Sequence, residues 1–363
     1  MSHETDHETN QDENQEPNQD PGTAKSDSLV AELVSQTIPA NGQLSATNQL
    51  IAHARRELGR VISGQSEVIE EVLIAVLCQG HALLEGVPGI AKTLIVKTLG
   101  RLLGLGFQRV QATPDLMPAD ILGTTIFRPG AASDAGNFSF HAGPVFTDLL
   151  LVDEINRMPP RTQAALLECM EERQVTTDGV RRPLPPWFTV FATQNPVDFE
   201  GTYPLPEAQL DRFLLKIHVA YPSEAEELQI LERHHAGSGA GLLEDASIAP
   251  IPDGLLAAAC AEVRAIRIEP ELYGYILSLA RRTREWPTLL LGASPRAAVS
   301  IMRVAQAAAA FDGRDYLVPD DVKRAVQPVL RHRIMLKPEA ELEGFDADRV
   351  LADVIAAVPV PRQ

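Results

Sequence analysis

The chain has 363 residues, 45% of them hydrophobic, and a formal net charge of -17 from 32 Lys and Arg against 49 Asp and Glu. That length allows one large or two medium domains with a sizeable core, and the acidity argues against a protein whose main partner is a phosphate backbone. Cys78, Cys169 and Cys260 lie far apart in apolar contexts, as buried thiols do, and neither a signal sequence nor a bilayer-length apolar run is visible, so the expected location is cytoplasmic.

Residues 1–43 read as an acidic, disordered tail almost without large apolar side chains. A helix is expected over 45–58, with Leu50, Ile51, Ala54 and Leu58 as its apolar stripe, and a second one ends near Gln79. The turn between them, Val61 to Gln65, brings Gly64 and Gln65 next to whatever follows; it is a candidate cover for a nucleotide base, although core packing explains Val61 and Ile62 equally well.

An apolar run, His81 to Glu85, then enters Gly86-Val87-Pro88-Gly89-Ile90-Ala91-Lys92-Thr93, and Leu94, Ile95, Thr98 and Leu102 leave it at helical spacing. Glycines there let backbone N–H groups approach phosphate oxygens at the positive end of a helix. Lys92 in the first helical turn opposes the macrodipole unless an anion is present, and Thr93 offers a hydroxyl to magnesium. The general pattern G-x-x-x-x-G-K-[ST] is not met, because Ala91 stands where it asks for glycine; by itself the loop also fits an ordinary strand-to-helix turn.

Phe107 to Gln111 is a second strand, 115–122 a short helical piece, and 124–128 with 137–141 a hairpin about Pro129-Gly130. Leu149-Leu150-Leu151-Val152 is a buried strand ending in Asp153-Glu154, which puts two carboxylates in the crevice where parallel sheets bind ligands. Asp153 suits magnesium through its water shell, and Glu154 suits proton abstraction from an attacking water; the alternative is a favourable acidic start to the helix that Pro159 and Pro160 open toward Glu172. A second hairpin flanks Asp178-Gly179, with Arg181 and Arg182 expected as solvated edge charges, the alternative being that they face a polymer substrate. The strand Trp187 to Ala192 delivers Asn195 to the same crevice, where it can orient water or sense a terminal phosphate, and Phe213 to Val219 is the fifth strand.

Five strands with intervening helices imply an α/β, doubly wound parallel sheet. Beyond residue 223 strand signals vanish, and helical segments at 254–266, 270–285, 295–311 and 319–334 imply a second, all-helical domain. Its informative point is Ser294-Pro295-Arg296, a cap, a first-turn proline and an arginine that opposes the dipole. His234-His235 carries little metal signal, since adjacent helical residues face different sides.

With GVPGIAKT, LLLVDEINR, FATQNP, EAQLDRF and GASPRA in this order, the chain resembles the MoxR family of AAA+ ATPases over about residues 43–336. Alanine before the lysine looks like the form this family uses. The resemblance implies a nucleotide-binding core over 44–222 with hairpin insertions near 124–141 and 174–182, a helical lid over 223–363, ATP and Mg2+ as ligands, and a ring, expected to be hexameric. It makes Lys92 and Thr93 the phosphate-loop pair, Asp153 and Glu154 the Walker B pair, and Asn195 the sensor. Arg212 becomes an arginine finger for the neighbouring subunit, with Arg157 as a second candidate, and Arg296 the lid sensor. Chaperone-like remodelling of client proteins, often with von Willebrand factor A domain partners, is the implied function. A DNA-associated ring motor and a nucleotide-gated scaffold with little turnover are the alternatives. The absence of an Asn-Lys-x-Asp sequence favours ATP over GTP.

Overall fold

Every residue of Leu149-Leu150-Leu151-Val152 and of Val190-Phe191-Ala192 is fully buried, the pattern of parallel strands covered on both faces. The structure, a computed structural model, describes residues 45–62, 64–87, 89–128, 137–195, 202–235 and 248–361. The expected tail over 1–43, Pro88, the Pro129-Gly130 turn and Pro196 lie outside the described residues.

The first elements are α1 (Ala46–Leu58), α2 (Ser66–Leu77), β1 (Ala82–Glu85), α3 (Lys92–Leu103), β2 (Phe107–Gln111) and α4 (Pro118–Leu122). A hairpin of β3 (Gly123–Arg128) and β4 (Asn137–Ala142) precedes β5 (Leu149–Asp153) and α5 (Pro160–Glu172). A second hairpin, β6 (Gln174–Thr177) and β7 (Val180–Pro183), leads to β8 (Thr189–Gln194), α6 (Glu207–Leu210) and β9 (Leu215–His218). Then come α7 (Glu224–His235), α8 (Leu255–Ala265), α9 (Pro270–Arg284), β10 (Leu289–Leu291), α10 (Pro295–Phe311), α11 (Pro319–Leu330), β11 (Met335–Leu336), α12 (Pro338–Leu342) and α13 (Ala347–Ala357).

The five-stranded sheet has the order β2-β5-β8-β1-β9, all parallel. Its register aligns Gln111 with Asp153 and Glu85 with both Gln194 and His218, so the strands finish on one edge. That edge is where the phosphate-loop residues and the acidic pair meet. Alternate residues serve two cores, as the strand period of two requires. Leu149, Leu151 and Phe191 face a core shared with α1, α2, α3 and the C-terminal helices, while Leu150, Val152 and Val190 pack with Phe188, Leu166 and Met170.

Beneath the sheet, His81 accepts the Val190 N–H at Nδ1 (2.9 Å), so its Nε2 carries the proton toward the Met170 carbonyl (3.1 Å). Burial, assisted by the nearby Arg173 charge, pulls this imidazole down to about 3.

The C-terminal helices pack closely because α10 presents Ala305 and Ala307 to Ala310, all buried and short enough to let helices approach. The helix α1 joins this group: Glu262 of α8 accepts hydrogen bonds from the free N–H groups of Ala46 (2.7 Å) and Thr47 (2.8 Å). One departure from the all-helical expectation is the antiparallel ribbon β10–β11. Its strands have three and two residues, and Leu290 and Leu291 are exposed, so no alternation marks it in the sequence. A second departure concerns Arg182, expected as a solvated edge charge. Its guanidinium lies 3.9 Å from the Phe140 ring centroid, and Thr125 donates to Asp178 at 2.5 Å, so the two hairpins are fastened to each other.

Candidate functional site

The phosphate-loop residues bend because backbone geometry at two positions requires it. Gly89 has φ 87°, and Ala91 has φ 64°, the left-handed region that costs a residue with a Cβ roughly 1–2 kcal/mol. Ala91 therefore takes up the conformation that the general pattern assigns to glycine. At Gly86 the need is space: a Cβ there would sit 2.5 Å from the Val219 carbonyl oxygen. Lys92 reaches back to the Gly86 carbonyl at 2.5 Å. Burial lowers its ammonium below the ordinary lysine range, against the opposing pull of Asp153, Glu154 and Glu85.

Across from Lys92, β5 ends in Asp153, 7% exposed, and is followed by Glu154, whose φ of 57° is a second strained backbone. Thr193 couples them: its hydroxyl accepts the Glu154 N–H (2.8 Å) and donates to Asp153 Oδ1 (3.2 Å). Arg109 Nε pairs with Asp153 Oδ2 at 2.6 Å, and Thr93 Oγ1 lies 3.5 Å from the same oxygen. Gln111 Nε2 donates to Glu154 Oε2 (3.2 Å), and Arg157 Nε is 3.1 Å from that oxygen.

These groups surround a cleft of about 360 Å³ lined by Gly89, Ala91, Lys92, Thr93, Leu94, Arg109, Gln111, Asp153, Glu154, Thr193 and Asn195. The expected Lys92, Thr93, Asp153, Glu154 and Asn195 are thus brought together. Gly86, Val87 and Ile90 stand behind the lining, with Ile90 buried in the core. The Gly64–Gln65 turn touches the loop through Gln65 Nε2 and the Ile90 carbonyl (3.4 Å), and its outer side is filled by the Glu226 carboxylate.

The side-by-side Thr93 hydroxyl and Asp153 carboxylate form the hard oxygen set that Mg2+ prefers. No cluster of three or more His, Cys, Asp or Glu exists among the described residues to suggest a softer metal.

Arg212 and Arg296 lie outside this cleft. Arg212 Nε binds Glu171 Oε2 (2.8 Å) and Arg296 Nη2 binds Glu171 Oε1 (2.6 Å). Sequence reasoning missed Arg109, Gln111, Thr193 and Glu171 as site residues. Only the alternation of β2, which turns Arg109 and Gln111 to one face, carried a signal for any of them.

Two family models match the chain, the ATPase family associated with various cellular activities (AAA) over residues 81–215 and the AAA lid domain over 281–354. The chain is similar to the uncharacterized protein YeaC of Bacillus subtilis, 41% identical across 86% of this chain and 96% of that one. It is also 41% identical to the chaperone MoxR1 of Mycobacterium tuberculosis, across 88% of this chain and 84% of the relative. A crystal structure described as an ATPase from Cytophaga hutchinsonii superposes with a TM-score of 0.77 at 38% identity, covering 94% of this chain and 99% of that one. Matched in both its sheet and its helical region, the chain belongs to the MoxR family of AAA+ ATPases.

Proposed function

We propose that the protein hydrolyses ATP in a ring of identical subunits, a hexamer by family pattern, and uses the cycle to remodel or activate client proteins. The observation that carries the enzymatic part is the convergence of Lys92, Thr93, Asp153, Glu154 and Asn195 on one cleft. The chaperone part is supported by the similarity to MoxR1. In this reading residues 44–222 are the nucleotide-binding core and 223–363 the lid, and partners with von Willebrand factor A domains are the first to test.

The chemistry follows from the geometry. Loop N–H groups and Lys92 hold the β- and γ-phosphates, for which Lys92 exchanges the Gly86 carbonyl for a phosphate oxygen. Thr93 and Asp153 would hold Mg2+, which when bound neutralises phosphate charge. Arg109 then gives up Asp153 Oδ2. Glu154 takes a proton from the water that attacks the γ-phosphorus, the bond to the β–γ bridging oxygen breaks, and ADP and phosphate leave. Gln111 and Arg157 hold the carboxylate in place, and Asn195 orients the water or reads the terminal phosphate. Arg212 reaches the nucleotide of the neighbouring copy.

Phosphate release and nucleotide binding by the full chain test the assignment. Glu154→Gln is expected to bind ATP with wild-type affinity and lose about 10² to 10⁴ in turnover. Normal turnover by that variant removes Glu154 as the base.

A further inference from the structure

Arg212 and Arg296 stand on backbone that this subunit bonds into one piece. Ser294 Oγ accepts the Ala297 N–H at 3.3 Å, capping the helix that carries Arg296, and lies 3.0 and 3.2 Å from the two carboxylate oxygens of Asp211. Asp211 precedes Arg212 directly. Its carboxylate also takes the Nε–H of buried Arg333 (2.7 Å), and Arg333 donates to the carbonyls of Asp211 (3.2 Å) and Phe213 (2.6 Å), on either side of Arg212. A fully bonded network of this kind fixes the spacing of the groups it carries. Glu171 of α5 then bridges the two guanidinium groups, one carboxylate oxygen on each.

Two guanidinium groups that share the oxygens of a carboxylate also suit the oxygens of a phosphoryl group, which offers more negative charge in similar geometry. The pair does not line the Lys92 cleft of its own chain. The hollow beside Arg212 contains Glu168 and Glu172 as well as Glu171, so in a single subunit the pair is neutralised.

We propose that Asp211 and Ser294 preassemble Arg212 and Arg296 into a two-pronged clamp for the terminal phosphate of ATP bound to a second copy of this chain, and that Glu171 fills the clamp until that phosphate displaces it. The inference rests on the reading above of a site completed between copies. It makes Arg296 act across the interface together with Arg212, and makes Glu171 a positioning residue that holds hydrolysis down in unassembled subunits.

Two measurements on the full chain with ATP test it. In the first, turnover per subunit is followed against subunit concentration. Glu171→Gln and Glu171→Ala are expected to reach half-maximal turnover at about threefold to tenfold lower concentration, from the loss of the competing ion pairs, with KM for ATP unchanged. A midpoint that stays or rises in both variants overturns the role of Glu171. In the second, Arg296→Ala subunits are mixed with Lys92→Ala subunits. Recovery of hydrolysis is expected, because the nucleotide-free copy supplies the missing arginine. No recovery here, alongside recovery when Arg212→Ala is mixed with Lys92→Ala, overturns the paired clamp. Failure of both mixtures with an active wild type overturns the shared site and the clamp with it, and a wild type without turnover removes the ATPase reading itself.

Discussion

The Lys92 cleft and the Glu171 hollow both gather charged side chains, but they are built differently. The cleft takes its groups from strand ends and the loop beside them: Asp153 and Thr193 are buried, and Ala91 and Glu154 hold left-handed backbone. The hollow takes its groups from helix surfaces and a turn, with Glu171 and Arg296 at 39% and 50% side-chain exposure. Strain and burial concentrate where a subunit does its own positioning, while the exposed cluster is the half-site of the proposed clamp. The Glu171 carboxyl is held below the usual range by hydrogen bonds from Arg296 and then Arg212, so it remains a charged occupant at neutral pH.

The sharpest way to separate the two regions is Arg212→Ala. It is expected to lower turnover by about 10³ to 10⁵ while ATP binding in the cleft stays within a few fold, as the proposed action of this arginine on a neighbour's transition state requires. Isothermal titration alongside phosphate release checks both halves. An equal loss in binding and turnover breaks the distinction and puts Arg212 at its own nucleotide.

A smaller effect is expected from Asp211→Asn. Burial lowers the Arg333 guanidinium to about 10 even though Asp211 works to raise it, so this carboxylate is the charge that balances a buried cation. Removing one partner of such a pair costs about 2–4 kcal/mol, below the usual upper figure because backbone carbonyls continue to bind Arg333. Denaturant unfolding measures it. Unchanged stability breaks the claim that the two arginines stand on one bonded support.

The same contrast explains what could be read from the sequence. The sheet was legible because β1, β5 and β8 are continuous apolar runs, and the hairpin at Asp178-Gly179 because its turn residues adopt positive φ at 53° and 76°. Lys92, Thr93, Asp153, Glu154 and Asn195 were legible because each ends a buried strand or lies in the segment that directly follows one. Thr193 and Gln111 were not, since their roles appear only when β2, β5 and β8 lie side by side in register. Glu171 was least legible: it is one of several glutamates on α5, and its partners are 41 and 125 residues away. The ribbon β10–β11 escaped for the related reason that two short strands signal only through each other.

The smallest expected effect concerns pH and separates stability from both sites. Glu71 on α2 lines neither the cleft nor the hollow. Burial raises its carboxyl from 4.5 to about 7, opposed by Arg331, His218 and Arg324 and assisted by Glu67. A carboxyl with a raised folded value contributes stability that is full below pH 4.5 and lost as pH rises through about 7. His81 works in the other direction: its folded value near 3 lies below 6.5, so its contribution is present above pH 6.5 and fades as pH falls toward 3. His81 bonds the carbonyl of Met170, next to Glu171, and neutral His332, likewise lowered by burial, bonds that of Phe213, next to Arg212. Acid therefore removes the His81 Nδ1 lone pair that accepts the Val190 N–H, and alkali charges Glu71. Glu71→Gln, which keeps the neutral shape, is expected to gain about 1–3 kcal/mol over wild type at pH 8 and close to nothing at pH 4. Thermal unfolding at the two pH values measures the difference. An equal increment at both would mean that Glu71 is not protonated in the folded chain.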